Sequence, residues 1–86
     1  MFMVSNGSGV NDPYRTYFHD YSSAIDEACY NVVFEAYEAG VVEDMEFYEY
    51  FLPSEWESVI EEVEQYTGGN VSFALPNNEI VMITEE

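Results

Sequence analysis

The stretch from Glu35 to Gln65 sets the terms on which this chain can fold. Its 31 residues, EAYEAGVVEDMEFYEYFLPSEWESVIEEVEQ, hold eleven carboxylates and no Lys, Arg or His. Tyr37, Tyr48 and Tyr50, with Phe47 and Phe51, are threaded among the acids. The imbalance extends to the whole chain: 18 Asp and Glu stand against Arg15 and no Lys, a formal charge of −17 over 86 residues. Glu–Lys pairs along exposed helix faces therefore cannot form. Self-repulsion on this scale works against a compact state. The core has to be apolar, and the surface is nearly all of one sign.

Hydrophobic residues at 48% and aromatics at 17% are too many for a disordered acidic tail. The length suits one small domain covering residues 1–86. Phe2 to Val4 reads as a short strand that pairs with the C-terminal end. Asn6-Gly7-Ser8-Gly9 and Asp12-Pro13 are turn signals. In YRTYFHDY, Tyr14 to Tyr21, the β-formers Tyr14, Thr16 and Phe18 alternate with Arg15, Tyr17 and His19, as in a strand.

Ser22 or Ser23 then offers an N-cap. Ile25, Ala28, Cys29, Val32, Val33, Ala36 and Tyr37 follow at the spacing of an amphipathic helix. Asp26, Glu27, Asn31, Glu35 and Glu38 form its other face, and Gly40 is its natural C-terminal stop. Over Val41 to Leu52, the residues Val41, Met45, Tyr48 and Leu52 fit one face of a short helix ended by Pro53, while Met45, Phe47 and Phe51 would share a strand face; repulsion of the acids across a strand pair favours the helix. Ser54-Glu55-Trp56-Glu57 has the form of a capping box. It opens a second long helix, Glu55 to Tyr66, with Trp56, Val59, Ile60, Val63 and Tyr66 inward and Gly68-Gly69 as terminator. Val71, Phe73 and Leu75 alternate with Ser72 and Ala74, Pro76-Asn77-Asn78 turns, and Ile80 to Thr84 returns as a β-hairpin.

The expected fold is α+β: two long helices and one short helix packed on a small antiparallel sheet with a C-terminal β-hairpin. The expected core is Ile25, Cys29, Val32, Val33, Trp56, Val59, Ile60, Val63, Phe73, Leu75, Val81 and Ile83.

Enzymatic chemistry finds little support. One His, one Cys and one Arg do not make a recognisable constellation, and no G-x-S-x-G, H-E-x-x-H or phosphate-cradling glycine loop occurs. Zinc lacks ligands, and no D-x-D-x-D-G loop offers calcium a cage, so no cofactor or metal is expected. His19-Asp20 reads as a surface pair, and Cys29 as a small core residue. Nucleic acid and anionic membrane are repelled, since both are bound through Lys and Arg. A single Cys, no basic N-terminal region and no long apolar run point to the cytoplasm.

The outward acids remain. Along a helix, i to i+4 spacing advances a charge by about 6 Å, while duplex DNA carries one charge per ≈ 1.7 Å of axis when both strands are counted. Glutamates stepping along two helices approach a phosphate-like line of charge. Two carboxylates about 6 Å apart repel by only about 0.7 kcal/mol in water. A dozen such charges add a cost that the fold itself does not require. The candidate partner-binding residues are Glu35, Glu38, Glu43, Asp44, Glu46, Glu49, Glu55, Glu57, Glu61, Glu62 and Glu64, with Tyr48 and Tyr50 adding contact area.

Small size, extreme acidity, near absence of bases and aromatic-threaded glutamates together resemble the DNA-mimic inhibitors of phages and mobile elements, of anti-restriction or anti-CRISPR type. His19-Asp20-Tyr21 is similar to an H-D-Y tripeptide of the ArdA antirestriction family. The resemblance implies an inhibitor, not an enzyme. It would occupy the basic nucleic-acid channel of a nuclease, restriction enzyme or CRISPR effector in the host cytoplasm, as a monomer or homodimer and without binding nucleic acid itself. An immunity protein or antitoxin against a basic nuclease, and a plain acidic domain of halophilic or assembly type, are the alternative readings.

Crowded like charges raise carboxylate pKa values in the folded state. A raised folded pKa contributes stability that is present at lower pH and lost as pH rises through it. At low salt the melting temperature is expected to be higher at about pH 5 than at about pH 8, given unperturbed carboxylates near 4. Equal midpoints in a calorimetric scan at the two pH values would contradict this.

Overall fold

The computed structural model describes residues 1–7, 14–43 and 52–86. Among them the chain forms β1 (Phe2–Asn6), β2 (Tyr14–Phe18), α1 (Tyr21–Glu38), α2 (Ser54–Glu64), β3 (Val71–Ala74) and β4 (Ile80–Glu85). The strands make one antiparallel sheet in the order β2-β1-β4-β3. The first strand does pair with the C-terminal one, with Phe2 opposite Glu85 and Val4 opposite Ile83. The two ends of the chain also meet, through the Glu86 N–H donating to the Met1 carbonyl at 2.8 Å.

Both helices lie on one face of the sheet. Alternation along each strand sends Val4, Phe73, Val81 and Ile83 toward them. Ala24, Ala28, Val32 and Ala36 of α1 and Trp56, Val59, Ile60 and Val63 of α2 complete this core, closed by Val42, Tyr66 and Leu75. Alanines at three of the α1 positions let that helix sit close to the sheet. Ile25 and Cys29, expected inside, are only partly buried at the edge of the cluster.

On the opposite face the pairing sets three rows across the sheet: Tyr17–Met3–Thr84, Arg15–Ser5–Met82–Ser72, and Ile80–Ala74. No helix of the described residues covers this side. Arg15, Tyr17, Ser72, Ala74 and Ile80 are exposed, Met3, Met82 and Thr84 are half-buried, and Ser5 lies buried among its neighbours.

Several expectations require correction. The described residues contain two helices, not three. The α1 terminus explains why no short helix starts at Val41. Gly40 turns the chain at φ 74°, the Gly40 N–H donates to the Tyr37 carbonyl, and the Val41 N–H donates to the Ala36 carbonyl at 2.9 Å. This pair of bonds closes α1 in a Schellman turn. Val41, Val42 and Glu43 follow as irregular chain, with Val42 buried, and Leu52 is likewise non-helical. The remainder of that segment, residues 44–51, lies outside the described residues, as do the turn residues 8–13.

The N-terminal caps also differ. Asp20, not Ser22 or Ser23, caps α1: its Oδ2 accepts from the Ser23 N–H at 3.1 Å and from both serine hydroxyls. A charged acceptor at the positive end of the helix dipole outcompetes a hydroxyl. These bonds hold the Asp20 carboxyl below its usual pKa, so the cap is intact above that range and is lost as pH falls through it. At α2 the capping box does not form. Pro53, extended at φ −58° and ψ 154°, takes the cap position, which draws Ser54 into the helix. The Pro53 carbonyl accepts from the Trp56 and Glu57 N–H groups.

The helix α2 ends at Glu64, and the Tyr66 hydroxyl ties the following turn by donating to the Gly69 carbonyl at 2.7 Å. Gly68 is needed there: its φ is 130°, and a Cβ would meet Glu85 Oε1 at 3.1 Å.

Ile83 is fully buried in a central strand. Truncation to Ala should cost about 2–5 kcal/mol through lost burial and the cavity left behind. Urea unfolding of Ile83→Ala against the parent measures it.

Candidate partner-binding surface

With Trp56, Val59, Ile60 and Val63 committed to the core, every intervening α2 position points outward. Glu55, Glu57, Glu61, Glu62 and Glu64 are all exposed. Glu57, Glu61 and Glu64 follow i, i+4, i+7 spacing and so form one line along the helix. No basic residue lies among them.

The α1 contribution differs from the sequence expectation. Glu38 is exposed, as is Glu43 just beyond the helix. Glu35 instead reaches back to the sheet side: its Oε2 accepts from Asn6 Nδ2 at 3.2 Å and its Oε1 from Asn77 Nδ2 at 3.1 Å. Asn31, expected on the outer face, is buried. Its Oδ1 accepts from Asn6 Nδ2 at 3.2 Å, and its Nδ2 donates to the Glu27 carbonyl at 3.0 Å. This asparagine–glutamate cluster ties α1 to β1 and to the β3–β4 turn. Within it, Asn6 Oδ1 is buried with no hydrogen-bond partner among the described residues. Glu35 is thus engaged in holding the fold, while Glu38 and Glu43 are free to face a partner. Asp44, Glu46, Tyr48, Glu49 and Tyr50 lie outside the described residues.

Two tyrosines join the surface. Tyr30 and Tyr37, two helical turns apart, share the outward face of α1 and are 55% and 46% exposed. Tyr37 was expected on the apolar face. The helix is turned so that Ala24, Ala28, Val32 and Ala36 face the sheet, which rotates position 37 into solvent. The seven-residue spacing of Tyr30 and Tyr37 was visible in the sequence, but the orientation that exposes both was not.

Cys29 marks where the acids of the two helices converge. Its thiol is pushed up to about 12, first by burial and then by Glu64 of α2 and Asp26 of α1. It stays protonated at neutral pH and is a poor nucleophile. Glu27 is also raised, by burial. Asp20 and Tyr21 of the H-D-Y tripeptide serve as the cap and first residue of α1. Among the described residues, no three His, Cys, Asp or Glu side chains are grouped to hold a metal ion. No helix among them is long and apolar enough to cross a membrane.

Comparisons with family models, with curated proteins and with solved structures return no match.

The two α1 glutamates should therefore separate on mutation. Glu35→Ala leaves two amide donors without their acceptor and should destabilise the protein by about 1–3 kcal/mol. Glu38→Ala, at an exposed site, should fall within about 0.5 kcal/mol of the parent. Denaturant midpoints of the two variants test the distinction.

Proposed function

We propose that this protein is a DNA mimic. It inhibits a host-defence protein, a CRISPR effector or restriction enzyme, by occupying the basic channel in which that protein binds nucleic acid. The observation that carries the reading is the outer face of α2, where five exposed glutamates stand on an 11-residue helix without a compensating base. Glu38 and Glu43 extend this acidic surface, and Tyr30 and Tyr37 give it flat amphipathic rings suited to arginine side chains. Arginines that grip phosphate in such a channel accept carboxylates with the same planar geometry. No catalytic step and no cofactor is involved, and the site of action is the host cytoplasm.

The layout supports the reading through its economy. The carboxylates that the fold uses, Asp20 as a cap, Glu35 as a clamp and Glu85 as acceptor for the Gly69 N–H, are distinct from those on α2. The α2 glutamates make no side-chain hydrogen bond among the described residues. Their repulsion opposes folding, so their retention points to a partner.

Affinity capture from host lysate at about 50 and about 500 mM salt should retain a basic nucleic-acid-binding protein only at the lower salt, as for association governed by opposite charges. Duplex DNA should displace it. The variant Glu57→Gln/Glu61→Gln/Glu64→Gln should fold normally and slow association by about tenfold, the lower end of electrostatic steering. Capture that is unchanged at high salt, or by DNA, rules the mimicry out. Capture of a toxin nuclease instead would favour the immunity-protein reading.

A further inference from the structure

Asn6 and Gly7 form the one Asn–Gly pair of the chain. In such a pair the backbone nitrogen of the second residue can attack the side-chain Cγ of the first. Glycine favours the attack because it has no Cβ to hinder the approach. A bond from that nitrogen to Cγ closes a five-membered succinimide, the Cγ–Nδ2 bond breaks, and ammonia leaves. Water then opens the ring at one of its two carbonyls, giving aspartate or isoaspartate. The reaction needs no oxidant, cofactor or second protein.

The folded structure opposes each step. Asn6 ends β1, a central strand, where it stands opposite Tyr14 of β2 and Val81 of β4. The attacking nitrogen is engaged, since the Gly7 N–H donates to the Ile80 carbonyl at 3.0 Å. The side chain under attack is held, with Nδ2 donating to Asn31 Oδ1 and Glu35 Oε2, each at 3.2 Å. Negative charge develops on Oδ1 as the ring closes. That atom is buried and has no donor among the described residues, the reverse of the donor-lined hole that stabilises such charge in an enzyme.

We infer that Asn6-Gly7 is a self-modification site gated by the sheet: inert while β1 is in place, reactive once β1 leaves it, and converted to a form that β1 cannot bring back. An aspartate at position 6 has no donor for Asn31 Oδ1. It also sets a second carboxylate against Glu35 at the distance of one hydrogen bond. An isoaspartate lengthens the backbone there by one methylene and moves Gly7 off the Ile80 carbonyl. The cluster that ties α1 to β1 and to the β3–β4 turn is lost in both products. Opening a central strand costs close to the global unfolding free energy, so the modification marks molecules that have unfolded. The gate does not depend on what the helix side binds.

Peptide mass spectrometry tests this on the intact chain, incubated at one temperature and mildly alkaline pH in native buffer and in guanidinium chloride. Position 6 should exchange its amide for an acid at least about a hundredfold more slowly in native buffer, a lower bound for opening a central strand. Ile83→Ala leaves Asn6 and Gly7 untouched and should speed the native-buffer reaction by at least about tenfold, as it raises the open population. The aspartate product, made as Asn6→Asp, should melt below the parent. Asn6→Asp/Glu35→Gln should recover part of that loss, because the glutamine amide can donate to the new carboxylate. Equal rates in the two solvents overturn the inference, as does a native rate that ignores Ile83→Ala. So does an Asn6→Asp melt equal to the parent's, or no recovery in the double variant.

Discussion

The structure depends on one packing contact: the small-residue face of α1 against the two central strands. Ala24, Ala28, Val32 and Ala36 lie on Val4, Val81 and Ile83, all at or near zero exposure. With one Arg and no Lys, surface ion pairs cannot supplement this contact, and the acids oppose it. Stability has to come from apolar burial, at about 25 cal/mol per Å², and from carboxylates used as hydrogen-bond acceptors. Asp20, Glu35 and Glu85 each accept from N–H groups of the fold: Ser23, Asn6 and Asn77, and Gly69.

From that contact the surface follows. Once α1 lays its alanines on the sheet, Tyr30 and Tyr37 turn outward and Glu35 turns inward toward Asn6 and Asn77. Beside it, α2 commits Trp56, Val59, Ile60 and Val63 to the same core and leaves its glutamates facing solvent. The helix layer becomes the acidic side of the molecule. Since the strands alternate and both helices occupy one face, the nine described strand residues that face the other way include no acid.

Much of the fold could be read from the residues. The periodicity of α1 and α2, the C-terminal hairpin and the pairing of the first strand with the last all emerge as expected. The misreadings share a cause: a local signal was overruled by a neighbour. Ser54 has the spacing of a capping box, but Pro53 is already fixed in an extended conformation and begins the helix one residue sooner. Ser22 and Ser23 are sound caps, but Asp20 accepts from both of them and from the backbone as well. The short helix expected from Val41 does not begin there, because the Schellman turn at Gly40 leaves Val41, Val42 and Glu43 irregular. Asn31, polar and on the nominal outer face, is buried because Asn6 and the Glu27 carbonyl satisfy it.

The sequence by itself determined that this chain has an apolar core and a nearly uncompensated negative charge, because these follow from which side chains are present. Tertiary structure alone decided which acids serve the fold and which face outward, and that one sheet face carries none. Those outcomes depend on the rotation of α1 about its axis and on both helices packing on the same side. Such choices are made by contacts between residues far apart in the chain, and no local pattern encodes them.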